Sequence, residues 1–297
     1  MISALDLSKR MNFTVEDGIY GPKFVLRGWW REQAREFIRQ EGILELELNY
    51  ANNWPIEELD FLNSLQFLES LQIIAHGKLD LSPVAGLTRL KNLRLDALST
   101  TEIDFSALSD LETCYVEWHH KCRGVLTRSS LRDLYLQSFK QADGRGLVEL
   151  SNLQSLKIGN GSVHALTGIE RLQKIRMLGL YHLRKLTSLC PLEDLQSLEE
   201  LDIWGCRSIQ TLCDQIARVS RLRALTIINC GKVDSLAPLL GLRNLEELHF
   251  GEGTIIEDGD ISVLLGLPNL ANVTFSRHRH YSHTPEQFLL QLAARDN

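Results

Sequence analysis

The sequence predicts an α/β solenoid, with parallel strands on a concave side and short helices or 3₁₀ turns on a convex side. The apolar spacing L-x-x-L-x-L, with other apolar residues replacing some leucines, recurs eleven times. Successive copies begin 20 to 25 residues apart, a period typical of stacked structural repeats. Within each copy, apolar residues alternate with polar ones, as in a strand that buries one face.

The first residue of the spacing marks the start of each repeat. These residues are Ile43, Leu68, Leu90, Leu111, Leu131, Leu153, Ile175, Leu198, Leu222, Leu245 and Leu270. Each repeat is expected to form a strand, a turn and a return segment. The return segment "CDQIARVSRL" is long enough for a helical turn or two, whereas "DFSALSDL" indicates a 3₁₀ turn.

The segments between the strands include "LSPVAGLTRLKNL", "LCPLEDLQSLEEL" and "LAPLLGLRNLEEL". Together with the strand spacing, they resemble the leucine-rich repeat family, and in particular its bacterial internalin-type subclass. The resemblance covers about residues 43–276 and implies a curved horseshoe, a fold that serves many binding roles. Internalins are secreted, whereas this sequence begins without a recognisable signal peptide.

One column departs from the family pattern. The family usually places an asparagine three residues after the last strand leucine, where it bonds buried backbone groups at the turn. Here the column includes Cys206 and Cys230, which are small enough to substitute, and it also includes Leu98, Phe139 and Leu183. Because these three apolar side chains cannot make such bonds, irregular turns are expected beside them.

Both ends of the solenoid are predicted to be capped, because a stack of repeats exposes its core at its ends. Residues 1–42 are assigned to an N-terminal cap containing a strand and an amphipathic helix. Residues 43–276 hold the eleven repeats. Residues 277–297 are assigned to a C-terminal cap helix, in which Thr284 and Gln287 form a capping box around Pro285.

Composition limits the possible functions. The chain of 297 residues carries a net charge of −6 and contains no basic block, so nucleic acid is not expected as a partner. No apolar stretch approaches the length of a membrane span, so a membrane is not expected as a partner. The six cysteines form no C-x-x-C pair, and without a recognisable secretion signal they are expected to be free thiols in a reducing cytoplasm. On its own the protein is expected to be a monomer.

The alternation of the strands places the residues beside each leucine on the open face. In the central repeats this face would carry large aromatic and acidic side chains, and over three columns acids outnumber bases by eight to two. The predicted partner-binding residues are Asp96, Tyr115, Glu117, Trp118, Asp133, Tyr135, Tyr181, Glu200, Asp202 and Trp204. Gly159 and Gly179 would either leave a notch for a partner's loop or relieve crowding beside the tyrosines.

No catalytic constellation emerges from the sequence, so an enzyme, a metal and a cofactor are not expected. The run "RHRHYSH" contains three histidines but lacks a nearby acid or cysteine to complete a metal site, which favours a solvated loop. The glycines of "GNGSVHALTG" lack the pattern of a phosphate-binding loop.

The sequence therefore predicts a non-enzymatic module that binds a partner protein, which the acid excess suggests is basic. An immunity protein or antitoxin that neutralises a bacterial toxin is one hypothesis. A regulatory scaffold that modulates an endogenous enzyme is another and would use the same surface. The substrate-recruiting part of an enzyme is a third and less favoured hypothesis, because the flanking segments are too short for a catalytic domain.

Overall fold

Eleven copies of one apolar spacing organise this chain into stacked strand–turn–return units, as the computed structural model shows for residues 12–295. The chain divides into two units, residues 1–134 and residues 135–297. In both units the repeats form parallel strands joined by short helical or 3₁₀ segments. The fold is therefore an α/β leucine-rich repeat solenoid, as the sequence predicted.

Within the described residues, the first unit begins with a hairpin and a helix, and residues 1–11 of the predicted N-terminal cap lie outside the described part of the chain. Strands β1 (Phe13–Asp17) and β2 (Pro22–Leu26) are antiparallel, and β2 runs parallel to the first repeat strand, β3 (Glu45–Asn49). Helix α1 spans Glu32–Gln40 and buries Ala34, Phe37 and Ile38. It ends where Gly42 adopts a φ of +64° and the amide of Ile43 bonds the carbonyl of Ile38 at 2.9 Å.

The repeat strands of the first unit lie in chain order. After β3 come β4 (Ser70–Leu79), β5 (Asn92–Ser99) and β7 (Thr113–Glu117), all parallel. Two short strands, β6 (Ile103–Asp104) and β8 (Cys122–Arg123), pair with each other away from this sheet. The segment "DFSALSDL" contains the expected 3₁₀ turn, at Phe105–Ala107.

Strand β9 (Asp133–Gln137) spans the division between the units. The second unit continues with parallel strands in the order β10 (Ser155–Gly159), β11 (Met177–Tyr181), β12 (Glu200–Trp204), β13 (Ala224–Ile228), β15 (Glu247–Gly251) and β17 (Asn272–Phe275). Strands β14 (Gly231–Val233) and β16 (Thr254–Ile256) form a separate pair.

The return segments of the second unit are mostly 3₁₀ turns, such as Ile169–Arg171 and Ala237–Gly241. The return segment that includes "CDQIARVSRL" contains a short α-helix, α2 (Leu212–Ile216), as its length indicated. Helix α3 (Pro285–Arg295) follows the last repeat. Its capping box forms as predicted: the Thr284 amide donates to Gln287 Oε1 at 2.9 Å, and the Gln287 amide donates to Thr284 Oγ1 at 3.3 Å.

The turns of the second unit repeat one backbone geometry, which corrects the expectation of irregular turns at Phe139 and Leu183. In five successive repeats, the residue before the column position adopts a left-handed conformation, and its amide donates to a carbonyl of the next repeat at 2.6–3.1 Å. These residues are Ser138, Asn160, His182, Gly205 and Asn229. Phe139 and Leu183 are fully buried, so the column packs into the core where the family asparagine would form hydrogen bonds.

Cys206 and Cys230 occupy the same column and replace the asparagine as hydrogen-bond donors. The thiol of Cys206 donates to the Leu180 carbonyl at 3.5 Å, and that of Cys230 donates to the Ile203 carbonyl at 3.4 Å. All six cysteines are free thiols. The turn after β5 does depart from the regular geometry: β4 and β5 extend past it with a register shift, and Leu98 is 42% exposed.

Candidate binding surface

Three aromatic side chains line the solvent-facing side of the sheet in the second unit. Tyr181 lies between the other two: its ring centre is 6.0 Å from that of Tyr135 and 6.2 Å from that of Trp204. The Tyr181 and Trp204 planes meet at 85°, an edge-to-face contact, and Trp204 remains 42% exposed. We call Tyr135, Tyr181 and Trp204 the aromatic row.

The two glycines beneath this row are covered by tyrosine rings. A Cβ added at Gly159 would lie 2.6 Å from Tyr135 Oη, and one added at Gly179 would lie 2.5 Å from Tyr181 Oη. Of the two interpretations of these glycines, the structure therefore supports relief of crowding over a notch. The glycines let the rings lean over the sheet, which fixes where the row presents its edges.

Asp202 joins the row through Tyr181, whose hydroxyl donates to Asp202 Oδ2 at 3.4 Å. Burial raises the pKa of Tyr181 above its usual range, and the negative charge of Asp202 raises it further. The phenol therefore stays protonated at neutral pH and remains a hydrogen-bond donor. In the register of the sheet, Asp202 lies next to Gly179 and Trp204 lies next to Tyr181.

The same face contains an acidic cleft, with a volume of about 220 Å³, at the start of strands β12, β13 and β15. Its lining residues are Glu199, Glu200, Arg223, Ala224, Glu246 and Glu247. Arg223 is already neutralised, since it donates to both carboxylate oxygens of Glu246 at 3.0 and 2.8 Å. Ala224 lies in register between Glu200 and Glu247, so the floor of the cleft is a single methyl group.

In the first unit, two of the predicted binding residues contact the same arginine. The Arg94 guanidinium lies 4.8 Å from the centre of the Tyr115 ring, and its Nη2 lies 3.8 Å from Asp96 Oδ2. Tyr115 is consequently half-buried under a cation of its own sheet, and Asp96 has a local counter-ion. Both residues remain partly accessible, but with less free charge and ring surface than the sequence alone indicated.

The remaining predicted residues of the first unit lie near the ends of the strands. Glu117 is the last residue of β7, and Trp118 follows it; both are half-buried. Asp133 is exposed at the start of β9.

The acid excess expected along the first repeats is reduced by the N-terminal hairpin. Glu45 is only 2% exposed, and its carboxylate accepts the Tyr20 amide at the tip of the hairpin. Glu47 is also buried: its Oε2 lies 2.7 Å from Lys23 Nζ, and its Oε1 accepts the Asn52 amide group at 2.8 Å. The alternation of the strand predicts that both acids face solvent, but a strand packed beside the first repeat covers them.

Other candidate chemistry finds structural roles. A ring nitrogen of His280 lies 2.7 Å from the Ile256 carbonyl oxygen, and Nδ1 of His283 lies 3.0 Å from Ser282 Oγ. Within residues 12–295, no group of three or more His, Cys, Asp or Glu side chains is placed to hold a metal ion. Across the same residues, every helix is too short or too polar to cross a membrane.

The repeat geometry defines the chain as a leucine-rich repeat protein by fold, and comparison with solved structures agrees. An internalin from Listeria monocytogenes matches with a TM-score of 0.57 and 19% identity, over 80% of this chain and 76% of that chain. A leucine-rich repeat protein from Leptospira interrogans matches with a TM-score of 0.50 and 16% identity, over 85% and 77%. No family model and no curated protein matches the sequence.

The cleft around Ala224 was missed by sequence reasoning. The signal in the sequence is one small residue, Ala224, between two glutamates of the same column, Glu200 and Glu247. The hairpin that covers Glu45 was signalled by the segment "DGIYGPK". Nothing in the repeat pattern indicates where its tip docks.

Proposed function

We propose that this protein is a non-enzymatic module that binds a basic partner protein on the sheet face of its second unit. The observation that carries the proposal is the aromatic row, in which Trp204 is held edge-on against Tyr181 and is still 42% exposed. Exposed tryptophan and tyrosine side chains held rigidly in place are the residues that dominate interface energies. Such a face binds without paying to order its side chains.

The charge of this face favours a basic partner. Glu200, Asp202 and Glu247 point from the exposed columns of the second unit, against Lys157 as the one base of those columns. A surplus of negative charge raises the association rate of a basic protein and lowers that of an acidic one. Because Glu200 and Glu247 are solvent-exposed and Asp202 is partly exposed, the electrostatic contribution of these carboxylates falls as the salt concentration rises.

The particular role that we propose is that of a cytoplasmic bacterial immunity protein or antitoxin, in which the module occludes a positively charged surface of a toxin. A toxin that acts on nucleic acid carries such a surface, because its substrate is an anion. The preformed sheet face suits inhibition by occlusion, since no rearrangement has to precede binding.

Coexpression with the product of the neighbouring gene tests this role. The protein is expected to restore growth to cells that express that product, and Trp204→Ala is expected to abolish the rescue. On purified proteins, Trp204→Ala should weaken the complex by about 2 kcal/mol, or roughly 30-fold. Trp29→Ala is the matched control, because Trp29 is 63% exposed in the first unit and outside this face.

The affinities of the two variants decide the proposal. A loss confined to Trp204→Ala supports the aromatic row as the binding surface. Equal affinities for Trp204→Ala, Trp29→Ala and the unchanged protein would show that the partner binds elsewhere. Growth that is independent of this protein would remove the immunity role.

A further inference from the structure

We infer that the partner bound by this face presents an arginine side chain, which enters the acidic cleft over Ala224 while the neighbouring part of its loop packs against Trp204. This inference rests on the proposed function and specifies the chemistry of the partner. It combines three features of one sheet face: a groove with a small floor, an exposed ring beside it, and a surplus of carboxylates over cations on its walls.

The groove follows from the register of the sheet. Strand β13 contributes Ala224 and Thr226 to the exposed columns, and its neighbours contribute Glu200 and Asp202 on one side and Glu247 on the other. Strands two apart in a parallel sheet are separated by about 10 Å. Two carboxylates at that spacing, above a methyl group, leave room for one planar cation between them.

The charges in the cleft are unbalanced. Four glutamates and one arginine line it, and the arginine is held bidentately by Glu246. Glu247 receives one long contact, from Asn272 Nδ2 at 3.5 Å, which leaves most of its hydrogen-bonding capacity unused. A cation from a partner would therefore meet acceptors on both walls without displacing an existing ion pair.

Arginine fits this surface better than lysine for geometric reasons. Its guanidinium offers five donors in one plane, so it bonds carboxylates on two sides, and it also stacks on aromatic faces. The pair between Arg223 and Glu246 shows that the same cleft already accommodates a bidentate contact. Trp204 lies four residues along β12 from Glu200, or about 13 Å away, within reach of the next residues of an extended loop.

Fluorescein-labelled hexa-arginine, hexa-lysine and hexa-citrulline serve as probes, with binding followed by fluorescence anisotropy at low and at physiological salt. Citrulline has the shape of arginine without its charge. We expect hexa-arginine to bind at least about threefold more tightly than hexa-lysine, and hexa-citrulline not to bind measurably. Losing two exposed ion pairs in Glu200→Gln/Glu247→Gln should weaken hexa-arginine about tenfold.

Two further variants separate the cleft from general negative charge. Asp110→Asn/Asp194→Asn removes the same net charge from exposed return segments and should change the affinity less than twofold. Ala224→Leu fills the floor with no change in charge and should weaken hexa-arginine at least about threefold. Thermal melts of each variant show whether it remains folded.

Equal losses in the two charge variants, or an unchanged affinity in a folded Ala224→Leu protein, would overturn the inference. Equal affinities for hexa-arginine and hexa-lysine would overturn the choice of arginine. These failures differ from failure of the proposed function. If Trp204→Ala weakens the partner complex but the cleft variants do not change probe binding, the proposed function stands and the arginine inference falls. If the cleft variants weaken probe binding but Trp204→Ala leaves the partner complex unchanged, the partner binds elsewhere.

Discussion

Replacing Lys23 by methionine should destabilise the first unit, because it leaves the buried carboxylate of Glu47 without its counter-ion. The two charged atoms are 2.7 Å apart, and the side chains are 24% and 7% exposed. Breaking a fully buried pair costs about 3–5 kcal/mol, whereas exposed pairs contribute about 0–1 kcal/mol. With one partner partly solvated and hydrogen bonds from Asn49 and Asn52 retained, we expect a coupling energy of about 2 kcal/mol.

A double-mutant cycle measures this coupling. The unchanged protein, Lys23→Met, Glu47→Gln and the double variant are unfolded in urea, and the free energies of unfolding are compared at pH 7. The control cycle uses Lys232 and Glu257, which are 2.6 Å apart but 75% and 42% exposed. We expect a clearly smaller coupling there, since solvent and salt screen an exposed pair.

The coupling should also depend on pH. Burial alone would raise the pKa of Glu47, but the bonds and charge of Lys23, helped by Asn49 and Asn52, outweigh it and lower the pKa. A lowered pKa means that the stabilisation is complete above the unfolded value of about 4.3 and disappears as the pH falls through the folded value. A coupling below about 0.5 kcal/mol at pH 7, or one unchanged in acid, would refute this account of the hairpin.

Further predictions concern the core and the site. Leu183→Asn should cost about 2–4 kcal/mol in urea unfolding, because the amide enters an apolar column; a stability equal to that of the exposed control Lys185→Asn would show that the family asparagine is accommodated. Ellman's reagent should modify Cys190 alone in the native protein, whereas burial raises the pKa of the thiol of Cys206 to about 12; rapid reaction of a second thiol would contradict the buried column. Asp202→Asn should lower the pKa of Tyr181 yet leave it above its usual range, because burial is the larger cause; ¹³C-tyrosine NMR would show no change if the two side chains were apart.

The repeats were predictable from sequence because each one is specified by local spacing. An apolar residue at a fixed period can be buried only by its neighbours in the stack, so strand positions and inward-facing leucines follow directly. The capping box at Thr284 was predictable for the same reason, since its hydrogen bonds join residues three apart. The regular turn at Leu183 was not predictable, because the family pattern places an asparagine in this column and does not indicate that an apolar side chain can also fill it.

Contacts between segments that are distant in the sequence could not be predicted from the repeat pattern. The salt bridge from Lys23 to Glu47 depends on how the N-terminal hairpin docks, and the cation–π contact of Arg94 with Tyr115 depends on rotamers across two strands. Both change the expected surface in the same direction, because each withdraws charge or ring area from solvent. A surface map derived from repeat positions alone therefore overestimates the free charge and the exposed ring area near a cap. It also overestimates them wherever opposite charges, or a cation and a ring, are neighbours.

Two kinds of small residue on this sheet behave in opposite ways, and the difference follows from their neighbours. Gly159 and Gly179 lie beside tyrosines, whose rings gain contacts by leaning over them, so the missing side chains leave no opening. Ala224 lies between Glu200 and Glu247, whose exposed side chains line the walls, so the space above its methyl group stays open as a cleft. On this sheet, a small residue therefore leaves a cleft only where its neighbours do not fold over it, which depends on the types of the flanking side chains.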